Sequence, residues 1–317
     1  MPAPSSAAAI RDVNTRYHDA AAVEYDAKWG IDFGEIGGRQ VLTKVRKALG
    51  REPPRFKRAL EIGSGTGYFS LNLMLAGVIE SLVASDISPG MLATLDANAD
   101  RLGLEVETIA GDAETLDLRD GSFDLILGHA VLHHLPDLAA SFRHFHDLLE
   151  PGGHVLFAGE PSRYGDRLAG VPKRAAGAVA PLWRRAIGAR PAPGHAVAAD
   201  APSVATTNGS EPHLHAHGHD LESFVDVHAF APGELNAFAA GAGFDDVKVI
   251  GEELLASWFG WANRTLEATA HPDDVPMGWK RYAYHGYIAL QRVDRELLEG
   301  RLPAGAFYNL LLSARKP

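Results

Sequence analysis

Leu60–Ser70, LEIGSGTGYFS, is the segment that most limits what this chain can fold into. Ala59–Ile62 is apolar enough for a buried strand, Gly63–Gly67 offers a tight glycine loop, and Tyr68–Ala76 reads as the first turns of a helix. A second apolar run, Leu82–Asp86, ends in an isolated acid. Strand, glycine loop, helix and an acid closing the next strand mark the ligand-binding edge of a doubly wound α/β sheet. Glycine is required in such a loop because the backbone turns sharply and must let a ligand come close, which a Cβ prevents.

The spacing separates two ligand classes. A dinucleotide fingerprint, G-x-G-x-x-G, would place its third glycine at Tyr68. The glycines here are Gly63, Gly65 and Gly67, with Glu61 just upstream. Further along come ASDISPGML around Asp86, AGDAETL around Asp112, SFDLILGHAVLHHLPD with a fourth strand at Phe123–Leu127, and LLEPGGHVLFAGEP with a fifth at His154–Ala158. E-x-G-x-G-x-G followed by these segments in this order resembles the class I S-adenosylmethionine (SAM)-dependent methyltransferases. The resemblance covers residues 57–161.

That resemblance implies a seven-stranded Rossmann-like methyltransferase sheet whose last strand runs antiparallel between the fifth and sixth. It implies SAM as cofactor, with Glu61, Gly63, Ser64, Gly65 and Gly67 around its methionine end. Asp86 would accept hydrogen bonds from both ribose hydroxyls, which one carboxylate can do. Ile87 and Met91 would flank the adenine, and Asp112 would meet its amino group beside the backbone of Ala113. His129 would offer its backbone carbonyl to the methionine ammonium, and His133 would pack near the cofactor.

Composition sets outer bounds. The 317 residues suffice for one large domain or one with a sizeable addition. No run approaches the ~18–20 apolar residues of a membrane span. MPAPSSAAAIRD lacks a basic n-region and a sustained apolar core, so it does not read as a signal peptide, and cytoplasmic is the default expectation. With no cysteine, disulfides and thiolate chemistry are excluded. A net charge of −10 disfavours a nucleic-acid substrate, which calls for a basic face.

Six segments follow. Residues 1–56 form an N-terminal helical arm, 57–161 the SAM-binding core, 162–231 an insertion, 232–251 a continuation of the core, 252–306 a second insertion and 307–317 the terminal strand. The continuation should hold a helix at Pro232–Gly243 and a strand at Asp246–Gly251. Arms of this kind fold over the cofactor in the family, so Tyr17, Tyr25 and Trp29 are candidates to face the acceptor. They serve equally well as anchors of a helix to the core. Every tryptophan lies outside residues 57–161, and the second insertion concentrates Trp258, Trp261 and Tyr284. An aromatic helical insertion at the carboxyl edge of the sheet would cap an apolar acceptor; a structural annex with its own small core is the alternative.

In the first insertion, Arg163–Arg190 carries a local charge of +6 with an apolar complement. It reads as a lid helix with a solvated face, or as a peripheral membrane or acidic-ligand contact, broken into short pieces by Pro172 and Pro181. A mobile loop is expected over Pro191–Ser210. His213, His215, His217 and His219 alternate after it; they can bind metal adventitiously, but no ordered metal site is expected.

Methyl transfer needs a dry, aligned site and, for a hydroxyl or acidic C–H, a proton acceptor. His133 is the first candidate base and His129 the second, with His134 beside them and His18 and His228 further afield. Ala130 stands where an H-E-x-x-H zinc motif needs glutamate, so metal is rejected there. The expected function is methyl transfer from SAM to an apolar small-molecule or lipid-like acceptor. The alternatives are a protein or RNA methyltransferase, and a SAM-binding sensor or assembly protein without transfer activity. The acceptor and the oligomeric state are not legible.

Overall fold

Val41, Val45, Ala48 and Leu49 recur at the spacing of one helix face, and that face is buried. The computed structural model describes residues 6–22, 25–26, 30–192 and 228–317. Helices α1 (Ala7–Ala21) and α2 (Glu35–Leu49) precede β1 (Phe56–Ile62), α3 (Tyr68–Leu75), β2 (Ile79–Asp86), α4 (Pro89–Leu102), β3 (Glu107–Ala110) and β4 (Phe123–His129). Then follow α5 (Leu138–Leu148), β5 (Leu149–Pro161), α6 (Arg163–Ile187), α7 (Pro232–Gly241), β6 (Asp245–Glu252), α8 (Leu255–Ala268), α9 (Met277–Val293) and β7 (Asn309–Arg315).

The strands form one seven-stranded sheet in the order β3-β2-β1-β4-β5-β7-β6. β1 through β5 pair in parallel. β7 runs the other way: Ser162 N donates to Tyr308 O near the end of β5, and Lys316 N donates to Gly153 O near its start. This is the mixed sheet that the resemblance implies. Leu60, Ile62, Ile126, Leu127 and Phe157 are fully buried in the central strands. Strands covered on both faces read as continuous apolar runs, which is why they were visible in sequence.

Helix boundaries follow local chemistry. Ser88 caps α4 by accepting from Met91 N, and Pro89 occupies the first turn, where its missing N–H has no partner to lose. α7 ends at Gly241 rather than Gly243, with Gly243 just beyond at φ +96°.

Two compact units divide the chain: residues 1–161, 220–250 and 310–317, and residues 162–219 and 251–309. In the second unit α8 packs on both α6 and α9. Asp294, fully buried, accepts from Leu255 N and Ala256 N, both at 2.9 Å, and so satisfies the first turn of α8. Glu253 adopts φ +63° and accepts from the Tyr287 hydroxyl at 2.7 Å and Gln291 Nε2 at 2.8 Å.

One local expectation fails. Pro172 and Pro181 do not break the basic segment; α6 is a single helix through both. Each proline removes one backbone hydrogen bond. The helix keeps a Ser162 N-cap, a left-handed Gly188 C-cap and a buried face of Gly165, Ala169, Ala176 and Ala180. Gly165 allows the closest approach, since a Cβ there would stand 1.8 Å from Phe307 O. The His213–His219 cluster, Trp29 and most of the expected mobile loop lie outside the described residues.

Candidate functional site

β1, β2 and β4 end at one level because their register aligns Ile62 with Ser85 and Glu61 with Leu127. The Gly63–Gly67 loop leaves β1 there. Gly63 stands at φ +59°, and a Cβ on it would come within 2.3 Å of Val131 Cγ2, so no other residue fits the turn. At Gly65, φ +52°, a Cβ would meet nothing within 4 Å. That glycine borders open space, a cleft of about 100 Å³.

Asp86 forms one wall. It is 8% exposed, and its carboxylate accepts from Gly65 N and Ser88 N, each at 2.8 Å. Burial raises its pKa to about 6 against the opposing pull of these hydrogen bonds. Gly63, Gly65, Ile87, Met91, Asp112, Ala113 and His129 join it on the cleft wall.

Three loop candidates sit behind that wall. Glu61 is 1% exposed, accepts from the Ser70 hydroxyl, and has its pKa raised to about 8, chiefly by burial. Ser64 N donates to Ser85 O, tying the loop to β2. Gly67, at φ +89°, lets Leu71 and Leu95 close over it. These residues shape the loop that borders the cleft.

The arm contributes more than its aromatics suggested. Arg11 ion-pairs with Asp112 at 2.6 Å and with Glu114, and Asp19 accepts from Gly90 N at 3.0 Å and from the Ser88 hydroxyl. α1 is thereby fastened across the cleft, with Asn14, His18 and Tyr25 on the wall. The Asn14 side-chain carbonyl is buried without a hydrogen bond among the described residues. Tyr17 packs edge-on against His18, with ring centroids 5.1 Å apart, and is not on the wall.

After β4 the chain turns at Ala130, held at φ +56°. Glu160, fully buried at the end of β5, accepts from Val131 N and Leu132 N at 3.0 Å, His133 N at 3.2 Å and His133 Nδ1 at 2.9 Å. The structure does not put His133, the first candidate base, on the cleft wall; His134 stands there, its ring 3.9 Å from that of His133 and 5.6 Å from that of His18. The His129 ring is packed by Tyr68 and Phe69, while its residue borders the cleft. His228 Nε2 lies 3.1 Å from Leu135 O.

Glu160 and Arg11 escaped sequence reasoning. Glu160 left a signal, because it is a lone acid ending an apolar strand, as Asp86 is. Trp258, Trp261 and Tyr284 belong to the second unit. There Trp261 takes the Lys173 ammonium 4.0 Å from its ring centroid, a cation–π contact. Trp258 is half-buried and Tyr284 exposed.

Residues 60–157 match the family described as "Methyltransferase domain". The domain belongs to the class I SAM-dependent methyltransferases. The malonyl-[acyl-carrier protein] O-methyltransferase of Methylococcus capsulatus is 36% identical over 142 residues, covering 44% of this chain and 48% of that protein. The ubiquinone biosynthesis O-methyltransferase of Ruegeria pomeroyi is 34% identical over 116 residues, covering 36% and 46%. The chain thus spans about half the length of these curated relatives. In fold, it resembles Haemonchus contortus phosphoethanolamine N-methyltransferase 2, with TM-score 0.57 and 17% identity over 97% of this chain and 60% of that one.

SAM is the methyltransferase cofactor, and the residues present fit it. Asp86 and Asp112 are carboxylates with acceptor capacity beyond their present partners. Gly65 leaves the loop open, and Asn14 adds a buried acceptor. Among the described residues no helix is long and apolar enough to cross a membrane.

Proposed function

We propose that this chain transfers a methyl group from SAM to a hydroxyl, carboxyl or carbon of an apolar small-molecule or lipid-like acceptor. The observation that carries the reading is the cleft at the ends of β1, β2 and β4, where Gly65 and Asp86 share a wall with His18, Tyr25 and His134. SAM supplies an electrophilic methyl group on a sulfonium. The residues around it would do the rest. Asp86 and Asp112 hold the nucleoside, and Gly63 and Gly65 admit the methionine end. His134 takes the acceptor's proton where there is one to remove, and His133 serves to position the turn through Glu160.

Two relatives named as O-methyltransferases support oxygen as the acceptor atom. The net charge of −10 disfavours a nucleic-acid acceptor, which calls for a basic face.

Purified protein incubated with radiolabelled SAM and fractionated cell extract tests the proposal. Label is expected in the organic-soluble fraction. Label in protein or RNA alone would overturn the small-molecule reading, and SAM binding without label in any fraction would leave a sensor. His134→Ala is expected to lower the rate by roughly 10²–10⁴ with SAM affinity nearly intact.

A further inference from the structure

The seven basic residues of Arg163–Arg190 do not act together. Lys173 pairs with Asp166 at 3.7 Å and covers Trp261, Arg184 donates to Thr269 O, and Arg190 pairs with Asp274. These cations hold the second unit together. Arg167, Arg174 and Arg185 are exposed, and each lacks an ion pair among the described residues.

The apolar residues of α6 divide in the same way. Its buried positions, Gly165, Ala169, Ala176 and Ala180, are all small. Five of its large apolar residues face water, Tyr164 being 48% exposed, Leu168 42%, Val171 56%, Val179 50% and Leu182 72%, while Trp183 packs against Trp279 and Ile187 is half-buried. At 3.6 residues per turn these five positions fall within one stripe about 80° wide. Arg167, Arg174 and Arg185 lie roughly 80–100° to one side of its centre line, and the small buried face lies on the other. A helix meant only to cover its neighbours would turn this arrangement round.

We propose that α6 docks on an anionic membrane surface, its stripe entering the headgroup–acyl boundary and its arginine row meeting lipid phosphates. The chemistry of the row selects this occupant. An exposed apolar stripe alone would accept any greasy surface, but a flanking row of exposed guanidiniums, without ion pairs among the described residues and in a chain of net charge −10, needs dense negative charge beside an apolar layer. A second copy of the chain brings a like-charged row to the same face. The inference stands independently of methyl transfer, because it rests on the surface of α6 alone.

The test is co-sedimentation of the full chain with vesicles of phosphatidylcholine, with and without phosphatidylglycerol. Binding is expected to the anionic vesicles, to weaken with added salt, and to be slight on phosphatidylcholine alone. Val179→Asp with Leu182→Asp is expected to abolish it. Each arginine replaced by glutamine among 167, 174 and 185 is expected to lower partitioning about fivefold. Circular dichroism and SAM affinity unchanged in the variants would show that the fold survives. No binding to anionic vesicles, or equal binding by wild type and the Asp double variant, would overturn the proposal. So would a dimer in sedimentation velocity that Leu182→Asp dissociates, without vesicle binding; that result would assign the stripe to a second copy.

Discussion

Glu160 holds His133 twice, accepting from its backbone N–H at 3.2 Å and lying 2.9 Å from its ring Nδ1. The same carboxylate takes Val131 N and Leu132 N, so one buried acid organises the whole turn after β4. That turn carries Ala130, Val131 and His134 onto the cleft wall.

Glu160→Gln keeps the size and replaces an acceptor oxygen by an NH₂ facing donors. It is expected to cost about 2–4 kcal/mol of stability, the penalty of buried donors left unmet. His133→Ala should cost less, and should weaken SAM binding and rate together. Urea denaturation with calorimetric SAM titration separates the two effects. A His133→Ala protein with normal SAM affinity and a collapsed rate would instead mark His133 as the base.

Asp86 should make cofactor affinity depend on pH. Its pKa of about 6 is that of a buried carboxylate, and hydroxyl donors prefer its ionised form. SAM affinity is therefore expected to fall as pH drops below about 6. Asp86→Asn should weaken binding by about 1–3 kcal/mol at neutral pH and flatten that pH dependence. Calorimetry from pH 5 to 8 checks both.

Glu61 should set a pH trend in the ligand-free protein. Its folded pKa, about 8, lies above its ordinary value of 4.5, so the folded state keeps a proton that the unfolded state has lost. The resulting stability is fully present below pH 4.5 and is lost as pH rises to 8. Asp86, raised in the same direction, adds to the trend up to about pH 6. Melting temperature should decline from pH 5 to 8, and Glu61→Gln should make the decline shallower. An unchanged slope in that variant would place the titration elsewhere.

Arg11 should act on the rate at which cofactor leaves. The ion pair with Asp112 is partly exposed, so it stabilises the closed arm only modestly. Arg11→Ala is expected to raise the SAM dissociation rate about two- to fivefold, with the melting temperature little changed. Stopped-flow release at two salt concentrations would check this, since added salt should mimic the substitution.

The sheet and most of the cleft wall were legible because their signals are local. Three glycines and a strand-ending acid say where a backbone must turn and what it can grip. Glu160 was harder, because its meaning depends on the residues after β4, brought to it only by strand pairing. Arg11 was hidden for the same reason: it lies about a hundred residues from Asp112, and nothing near it in sequence suggests a partner. The continuity of α6 across Pro172 and Pro181 is a tertiary matter too. A buried face of alanines and glycine outweighs two missing hydrogen bonds, and local rules do not register that.

The position of β7 also bears on how the chain must be made. β6 has one neighbour in the sheet, β7, and β7 is also the second neighbour of β5. A ribosome delivers β6 well before the strand that pairs with it, with residues 253–308 in between. At ~5–20 residues per second, two strand edges then stay open for roughly 3–10 s. Unpaired edges recruit other strands. The insertion that carries the aromatics therefore also sets a period in which the nascent chain depends on chaperones or dilution to avoid pairing with its neighbours.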